Sequence, residues 1–175
     1  MSAEIVPLPA ATVTLVRDSA RGLEVLMMQR NLKSGFVPGA HIFPGGALDA
    51  EDEAPELQAL CTGMTDEIAS RVLGVERGGL AYWAAAIRES FEEAGVLVAY
   101  DSNKSVIALD QPALADRFRG HRHVLNAGER GFIEIMREEG LTLAADQLVY
   151  FSHWITAPGR PRRFSARFFV AHAPE

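Results

Sequence analysis

The segment Leu80–Ala94 constrains the fold of this chain more than any other stretch of its sequence. Glycines stand at both of its ends, Gly79 and Gly95, where helices commonly begin and end. Its apolar residues fall on one face when the segment is wound at about 100° per residue; they are Leu80, Trp83, Ala84, Ile87, Phe91 and Ala94. The spacing predicts an amphipathic helix that packs this face on a core.

The opposite face of the predicted helix carries three glutamates. Glu89, Glu92 and Glu93 lie within roughly 100° of one another and point outward, away from the apolar face. Like charges three and four residues apart disfavour a helix by roughly 0.2–0.5 kcal/mol per pair. A divalent cation among the carboxylates removes this repulsion, and an all-oxygen ligand set suits Mg²⁺ or Mn²⁺. A solvated acidic surface is the more common arrangement, so the face alone leaves both interpretations open.

The same residues also form a motif. Arg88–Val96 (RESFEEAGV) matches the second half of the Nudix box, R-E-U-x-E-E-x-G-U with U aliphatic, except at Ser90. Gly46–Asp52 resembles the first half, G-x5-E, with Asp52 in the glutamate position, where it is expected to support the loop–helix geometry. Residues 53–87, 35 in all, separate the two halves, far more than the short spacer of the family motif.

A box split in this way resembles the long-insert branch of the Nudix hydrolase superfamily, which includes the peroxisomal coenzyme A diphosphatase and its bacterial relatives. The runs 36–52, 85–99 and 161–171 extend the resemblance over much of the chain. It implies a single Nudix domain over residues 1–175, built as an α/β/α sandwich with a mixed sheet. It also implies a helical insertion over residues 53–79 inside the box.

The resemblance further implies metal-dependent hydrolysis of a pyrophosphate bond in a nucleoside diphosphate linked to another group, with coenzyme A or acyl-coenzyme A favoured. By the same resemblance Glu92 and Glu93 are ligands of Mg²⁺ or Mn²⁺, and the carbonyl of Gly46 is a further ligand. Glu89 is either another ligand or the catalytic base, an alternative that stays open. Arg88 is expected to orient a glutamate by a charge-assisted hydrogen bond rather than touch the substrate.

Five residues outside the box are candidates for holding the substrate. Arg30 ends the second predicted strand, just before a glycine-rich loop. Arg160, Arg162 and Arg163 lie in a loop without acidic neighbours and are suited to phosphates, including the 3′-phosphate of coenzyme A. Phe43 is placed to stack on a base. A surface ion pair or basic loop fits each arginine equally well, and packing of the loop onto the core fits Phe43.

Apolar alternation and turn residues predict the order of the elements. A hairpin of strands Ala11–Val16 and Leu23–Gln29 comes first, followed by a loop over Lys33–Gly46 with at most a short strand around His41–Phe43. Further helices are predicted at 53–60, 65–73, 111–119 and 129–139, and further strands at 96–99, 148–155 and 167–171. Both tryptophans, Trp83 and Trp154, are expected in the core. This mixture of elements predicts an α/β or α+β sandwich with a mixed sheet.

Composition excludes several other classes of protein. A single cysteine, Cys61, excludes an intrachain disulfide, and the longest strongly apolar run, Leu80–Ile87, is far shorter than the ~20 residues of a membrane-spanning helix. The N-terminal segment has no secretory pattern, so we expect a cytoplasmic protein without membrane contact. The net charge is −6, with −9 over residues 1–146 and +3 over 147–175. An acidic body does not favour binding to nucleic acid.

A second function fits the same sequence, that of a Nudix-fold nucleotide-binding or regulatory module with little catalysis. The branch continues beyond its last predicted strand and often supplies a further metal-ligating glutamate there, whereas this chain ends at Glu175. We therefore expect a C-terminal end that is truncated relative to the branch. A homodimer is expected from the family alone.

Overall fold

The computed structural model describes residues 5–30 and 39–174. Within these ranges the strands are β1 (Leu8–Ser19), β2 (Gly22–Val25), β3 (Met28–Gln29), β4 (His41–Ile42), β5 (Gly45–Ala47), β6 (Ala99–Tyr100), β7 (Thr142–Leu143), β8 (Val149–Ile155) and β9 (Phe164–His172). The α-helices are α1 (Pro55–Gln58), α2 (Asp66–Leu73), α3 (Leu80–Ala94), α4 (Pro112–Asn126) and α5 (Phe132–Glu138). No helix in the described ranges combines the length and the hydropathy that crossing a membrane requires.

The main sheet is built around β1. Its strand order is β2-β1-β9-β8, with β2 paired to the C-terminal part of β1 and β5 to its N-terminal part. β1 and β9 run parallel, from Leu8 opposite Phe164 to Val16 opposite His172, whereas the other pairs of this sheet are antiparallel. The topology confirms the predicted α/β class with a mixed sheet.

Helix α3 covers one face of this sheet. The ring of Trp83 lies 4.7 Å from that of Phe169 on β9, and its indole N–H donates to the carbonyl of Leu148 at 3.1 Å. Val13 and Leu15 of β1 are buried in the same core. The predicted boundaries of this helix and its apolar face are therefore confirmed.

The C-terminal end of α3 accommodates Ser90, the residue at which the sequence departs from the motif. Ser90, at a normally aliphatic position, is fully buried, and its hydroxyl donates to the carbonyl of Val96. Gly95 between them has a left-handed backbone with φ of 72°, which glycine adopts without steric cost. The buried hydroxyl is thus satisfied and links the helix to the chain that follows it.

The predicted strand Leu23–Gln29 is two strands in the structure. β2 ends at Val25, and β3 pairs with β4 in a separate two-stranded sheet. The next part of β1 is already paired with β5 and the chain just before it, where the N–H of Val13 donates to the carbonyl of Pro44 at 2.9 Å. The second strand therefore has to leave β1 where β5 arrives.

Other boundary predictions also change. Within the predicted loop Lys33–Gly46, β4 agrees with the short strand allowed around His41–Phe43, but β5 already begins at Gly45, and residues 33–38 lie outside the described residues. The predicted strand Val96–Ala99 is reduced to β6, which begins only at the last of these residues. The helix predicted to end before Gly120 instead runs through it. Glycine costs only about 1 kcal/mol inside a helix, which buried side chains on either side of it outweigh.

The two tryptophans differ in their environment. Trp83 is buried as expected, but Trp154 is 67% exposed, so its placement in the core was wrong. Trp154 lies on β8, at the edge of the main sheet, and its indole N–H donates to the hydroxyl of Ser152 at 2.8 Å. An aromatic residue within an apolar strand is buried only when another layer covers its side of the sheet.

The insertion supplies polar groups to the N-terminal end of α3. The carboxylate of Asp66 on α2 accepts hydrogen bonds from the N–H groups of Gly78 at 3.0 Å and Leu80 at 2.9 Å. The hydroxyl of Ser70 accepts one from the N–H of Gly79 at 2.9 Å. Gly79 itself has no side chain with which to cap the helix. These contacts satisfy donors that the first turn of a helix leaves unpaired, and the carboxylate also complements the helix dipole.

We expect Asp66→Ala to lower the free energy of unfolding by about 1–2 kcal/mol, because backbone donors at the start of α3 lose their acceptor. Urea unfolding followed by circular dichroism measures this change. Glu67→Ala is the matched control, since Glu67 is the next residue of α2 and forms only an exposed ion pair with Arg71. Equal midpoints for the two variants would contradict a capping role for the insertion.

Candidate active site

Arg88 joins the two halves of the split box. Its Nε donates to Oδ1 of Asp52 and its Nη2 to Oδ2, both at 2.9 Å, and both side chains are buried. A bidentate pair of this kind fixes the relative orientation of both side chains. The two box segments are therefore in contact in space, although residues 53–87 separate them in sequence.

The same guanidinium holds two of the three glutamates of α3. Its Nη1 donates to Oε1 of Glu89 at 3.0 Å and to Oε2 of Glu92 at 3.1 Å. Its Nη2 also donates to the carbonyl of Ala47 on β5, at 3.2 Å. Arg88 thus lies where it orients carboxylates, as the motif implies.

The box glycines approach the glutamates closely. The N–H of Gly45 donates to Oε2 of Glu93 at 3.0 Å. A Cβ atom added to Gly46 would lie 2.4 Å from Oε1 of Glu89, so a larger residue there would have to displace that carboxylate. The side chains of Glu89 and Glu92 are only 12% and 22% exposed. The expectation of an outward-facing acidic surface was therefore wrong for these two residues, because the β5 segment folds over them.

Burial changes the pKa values of Glu89 and Glu92. The pKa of Glu89 is raised to about 7, chiefly by burial and further by the charges of Glu92 and Glu93, against the opposing effect of Arg88. Burial also raises the pKa of Glu92, again with Arg88 opposing it. Half-buried carboxylates that face one another form a site that an additional positive charge stabilises.

The side chains of Glu89, Glu92 and Glu93 suit a hard divalent cation, since their candidate ligand atoms are all carboxylate oxygens on one helix face. Among the described residues, however, no group of three acidic, histidine or cysteine side chains is already gathered as a metal site. One oxygen each of Glu89 and Glu92 is bonded to Arg88, and one of Glu93 to the N–H of Gly45. Binding of a cation to all three would therefore require these side chains to turn toward a common point.

A cavity of about 420 Å³ lies beside the box glycines, with Gly45 and Gly46 in its wall. Arg30, Arg162 and Phe43, three of the predicted substrate residues, line it. Further apolar walls come from Phe164, Ala166 and Phe168 of β9. The lining from the described part of the chain includes no acidic side chain. The cavity therefore combines aromatic surface with positive charge.

The other two predicted substrate residues lie elsewhere. Arg163 is buried, and its guanidinium donates to the carbonyls of Thr156 at 3.0 Å and Ile5 at 2.7 Å, so it anchors the loop before β9. Arg160 is exposed and is not part of the cavity lining. Three arginines close together in sequence thus have three different environments.

Sequence reasoning missed residues that contact the box from outside it. Arg122 and Asn126 of α4 donate to backbone carbonyls at the end of α3, and Thr12 of β1 lines the cavity. None of them belongs to a motif, and α4 is separated from the glutamates by about 30 residues of chain. A helix periodicity that continues through Gly120 is the one signal that could have placed Arg122 on a helix.

Comparisons with known proteins agree with this geometry. The solved NUDIX hydrolase of Alicyclobacillus acidocaldarius superimposes with a TM-score of 0.72 at 27% identity, covering 97% of this chain and 71% of that protein. The acyl-coenzyme A diphosphatase NUDT19 of Homo sapiens is 28% identical over 180 residues, covering 86% of this chain and 48% of the relative. The Gallus gallus protein of the same name is 26% identical, with coverages of 85% and 47%. No family model matches the chain.

A helix with the box glutamates, a reassembled split box and a solved neighbour of the same architecture make this chain similar to the Nudix hydrolases in fold and in the arrangement of its motif. Among these hydrolases it resembles the acyl-coenzyme A diphosphatases named NUDT19. The chain spans about half the length of the curated relatives it matches.

Proposed function

We propose that this protein hydrolyses a pyrophosphate bond within a nucleoside diphosphate linked to another group, in a reaction that depends on Mg²⁺ or Mn²⁺. One observation carries the proposal: the glutamate face of α3 and the cationic, aromatic cavity meet at Gly45 and Gly46. Carboxylates that hold a cation and arginines that hold phosphates are the two components that cleavage of a phosphoanhydride needs.

Each box residue has a role in the proposed reaction. Glu92 and Glu93, with the carbonyl of Gly46, would hold the metal ion, which would supply neutralisation of the phosphate charge. Glu89 either completes this set or accepts the proton of the attacking water. Arg88 keeps Glu89 and Glu92 oriented through its hydrogen bonds and is itself held by Asp52.

The cavity favours a substrate that is anionic at one end and aromatic or apolar elsewhere. Its volume of about 420 Å³ lies in the range of small-molecule sites. Arg30 and Arg162 are placed to pair with phosphates, and Phe43 to stack on a base. Since the named relatives are acyl-coenzyme A diphosphatases, coenzyme A or an acyl-coenzyme A is the substrate we favour.

A panel of substrates tests this function. Coenzyme A, an acyl-coenzyme A, NADH, ADP-ribose and a nucleoside triphosphate are incubated with the protein in Mg²⁺, in Mn²⁺ or in a chelator, and the products are separated by chromatography. We expect the coenzyme A compounds to be cleaved at the pyrophosphate, with turnover falling to background in the chelator. Absence of metal-dependent turnover for every compound would contradict the proposal. Calorimetric binding of coenzyme A without product would instead favour a binding module.

A further inference from the structure

The last turn of α3 leaves carbonyl groups that the backbone N–H groups following it do not satisfy. The N–H of Gly95 donates to the carbonyl of Phe91 at 2.9 Å, and that of Val96 to the carbonyl of Ser90 at 3.2 Å. The next two carbonyls belong to Glu92 and Glu93. Carbonyls at a helix end need donors from outside the helix.

Helix α4 supplies these donors. The Nε of Arg122 donates to the carbonyl of Glu92 at 2.7 Å, and its Nη2 donates to the carbonyl of Glu93. Asn126, one turn further along α4, donates from Nδ2 to the carbonyl of Glu92 at 3.2 Å. One planar guanidinium therefore bonds to the carbonyls of two consecutive residues. The side chains of these two residues are the carboxylates assigned to the metal.

Charge adds to this geometry. The C-terminal end of a helix carries a partial negative charge of about half an elementary unit, so acidic residues there are unfavourable. The last two turns of α3 contain Glu89, Glu92 and Glu93, and its last turn contains no basic residue. Arg122 brings a positive charge to this end from another element, and a second cation, Arg88, lies among the same carboxylates.

We propose that Arg122 is a positioning residue for the metal-binding glutamates. It fixes the backbone of Glu92 and Glu93 and thereby sets how their side chains reach toward Arg88 and Gly45, while its own guanidinium is bonded to carbonyls. Asn126 supports this role through its own hydrogen bond to the carbonyl of Glu92. The inference rests on the proposed function for the role of these carboxylates in metal binding.

Mn²⁺ binding to the intact protein tests the proposal without requiring turnover. We expect Arg122→Gln to weaken Mn²⁺ affinity by about tenfold or more, the range seen when residues that orient metal ligands are lost. Arg122→Lys keeps the positive charge but loses the planar guanidinium that bonds to two carbonyls at once, so we expect an intermediate loss of Mn²⁺ affinity. For Asn126→Ala we expect a smaller loss. Arg119→Gln is the matched control, because Arg119 lies on α4 and is paired with Asp116 on that same helix. Its affinity is expected to equal that of the native protein.

Two opposing effects make the experiment decisive. Loss of a nearby positive charge by itself would tighten binding of a cation, whereas loss of positioning weakens it. Native or tighter Mn²⁺ affinity in Arg122→Gln would therefore overturn the proposal. If that variant does not fold, Arg122→Lys and Asn126→Ala decide in the same way, and native affinity in both overturns it.

Turnover provides a second test, because a purely structural role of Arg122 would not change kcat separately from the KM for substrate. At subsaturating Mn²⁺ we expect kcat of Arg122→Gln to fall and the KM for substrate to stay within about twofold, since Arg122 does not line the cavity. A change confined to KM would overturn the assignment. Failure of the proposed function is distinguishable, because the native protein would then show no Mn²⁺ site sensitive to Glu92→Gln. That result overturns both proposals, whereas unchanged affinity in the Arg122 variants overturns this one alone.

Discussion

Replacing Glu92 by glutamine is expected to lower kcat for the proposed coenzyme A substrate by a factor on the order of 10³, because charge stabilisation worth several kcal/mol is lost with the proposed metal ligand. The protein should remain folded, since Arg88 keeps its bonds to Asp52 and Glu89. Initial rates at saturating substrate across a Mn²⁺ titration measure the effect.

The matched control for this variant is Glu76→Gln, which makes the same change of charge at an exposed position. Its rate is expected to stay within twofold of the native rate. Turnover of Glu92→Gln at the native level, with unfolding unchanged, would remove Glu92 from the proposed metal site.

Asp52→Ala is expected to have the largest effect on stability, lowering the free energy of unfolding by about 3–5 kcal/mol. Asp52 is fully buried and holds the Arg88 guanidinium, itself 2% exposed, through two hydrogen bonds. Removing one partner of such a pair leaves a buried charge without its main counter-ion. Urea unfolding measures the loss, and turnover should fall with it because Arg88 also orients Glu89 and Glu92.

A neighbouring carboxylate provides the comparison. Asp49 is 68% exposed and lies 3.5 Å from the same guanidinium, so Asp49→Ala should cost less than about 1 kcal/mol. The double variant Asp52→Ala/Arg88→Met should regain part of the lost stability, since neither charge of the buried pair remains, but not turnover. If Asp52→Ala were no less stable than Asp49→Ala, the buried pair would not be what holds the box together.

Much of the fold could be predicted from the sequence where the pattern is local. The boundaries of α3, its apolar face and its end at Gly95 agree with the structure, because helix periodicity and a left-handed cap depend on residues only a few positions apart. The hairpin of β1 and β2 agrees for the same reason. The end predicted at Gly120 was wrong because tertiary packing outweighs the weak preference of one glycine.

In the candidate site, too, the sequence indicated what a local motif determines and missed what tertiary packing determines. The motif alone indicated the glutamates, Arg88 and the box glycines as chemistry-bearing residues. It could not show that Glu89 and Glu92 turn inward beneath β5, since the packing of β5 on β1 and α3 decides their exposure. Nor could it separate Arg162, which lines the cavity, from its buried neighbour Arg163.

Residues of the local pattern therefore specify which side chains carry the proposed chemistry, and the assembled fold decides what supports them. Asp66 and Arg122, which bond to the two ends of α3, come from α2 and α4, and no short-range periodicity links them to the glutamates. Such contacts exist only after distant elements have packed, because hydrogen-bond partners must come within about 3 Å of one another. Periodicity thus identifies the helix of the candidate site, and only packing fixes its position.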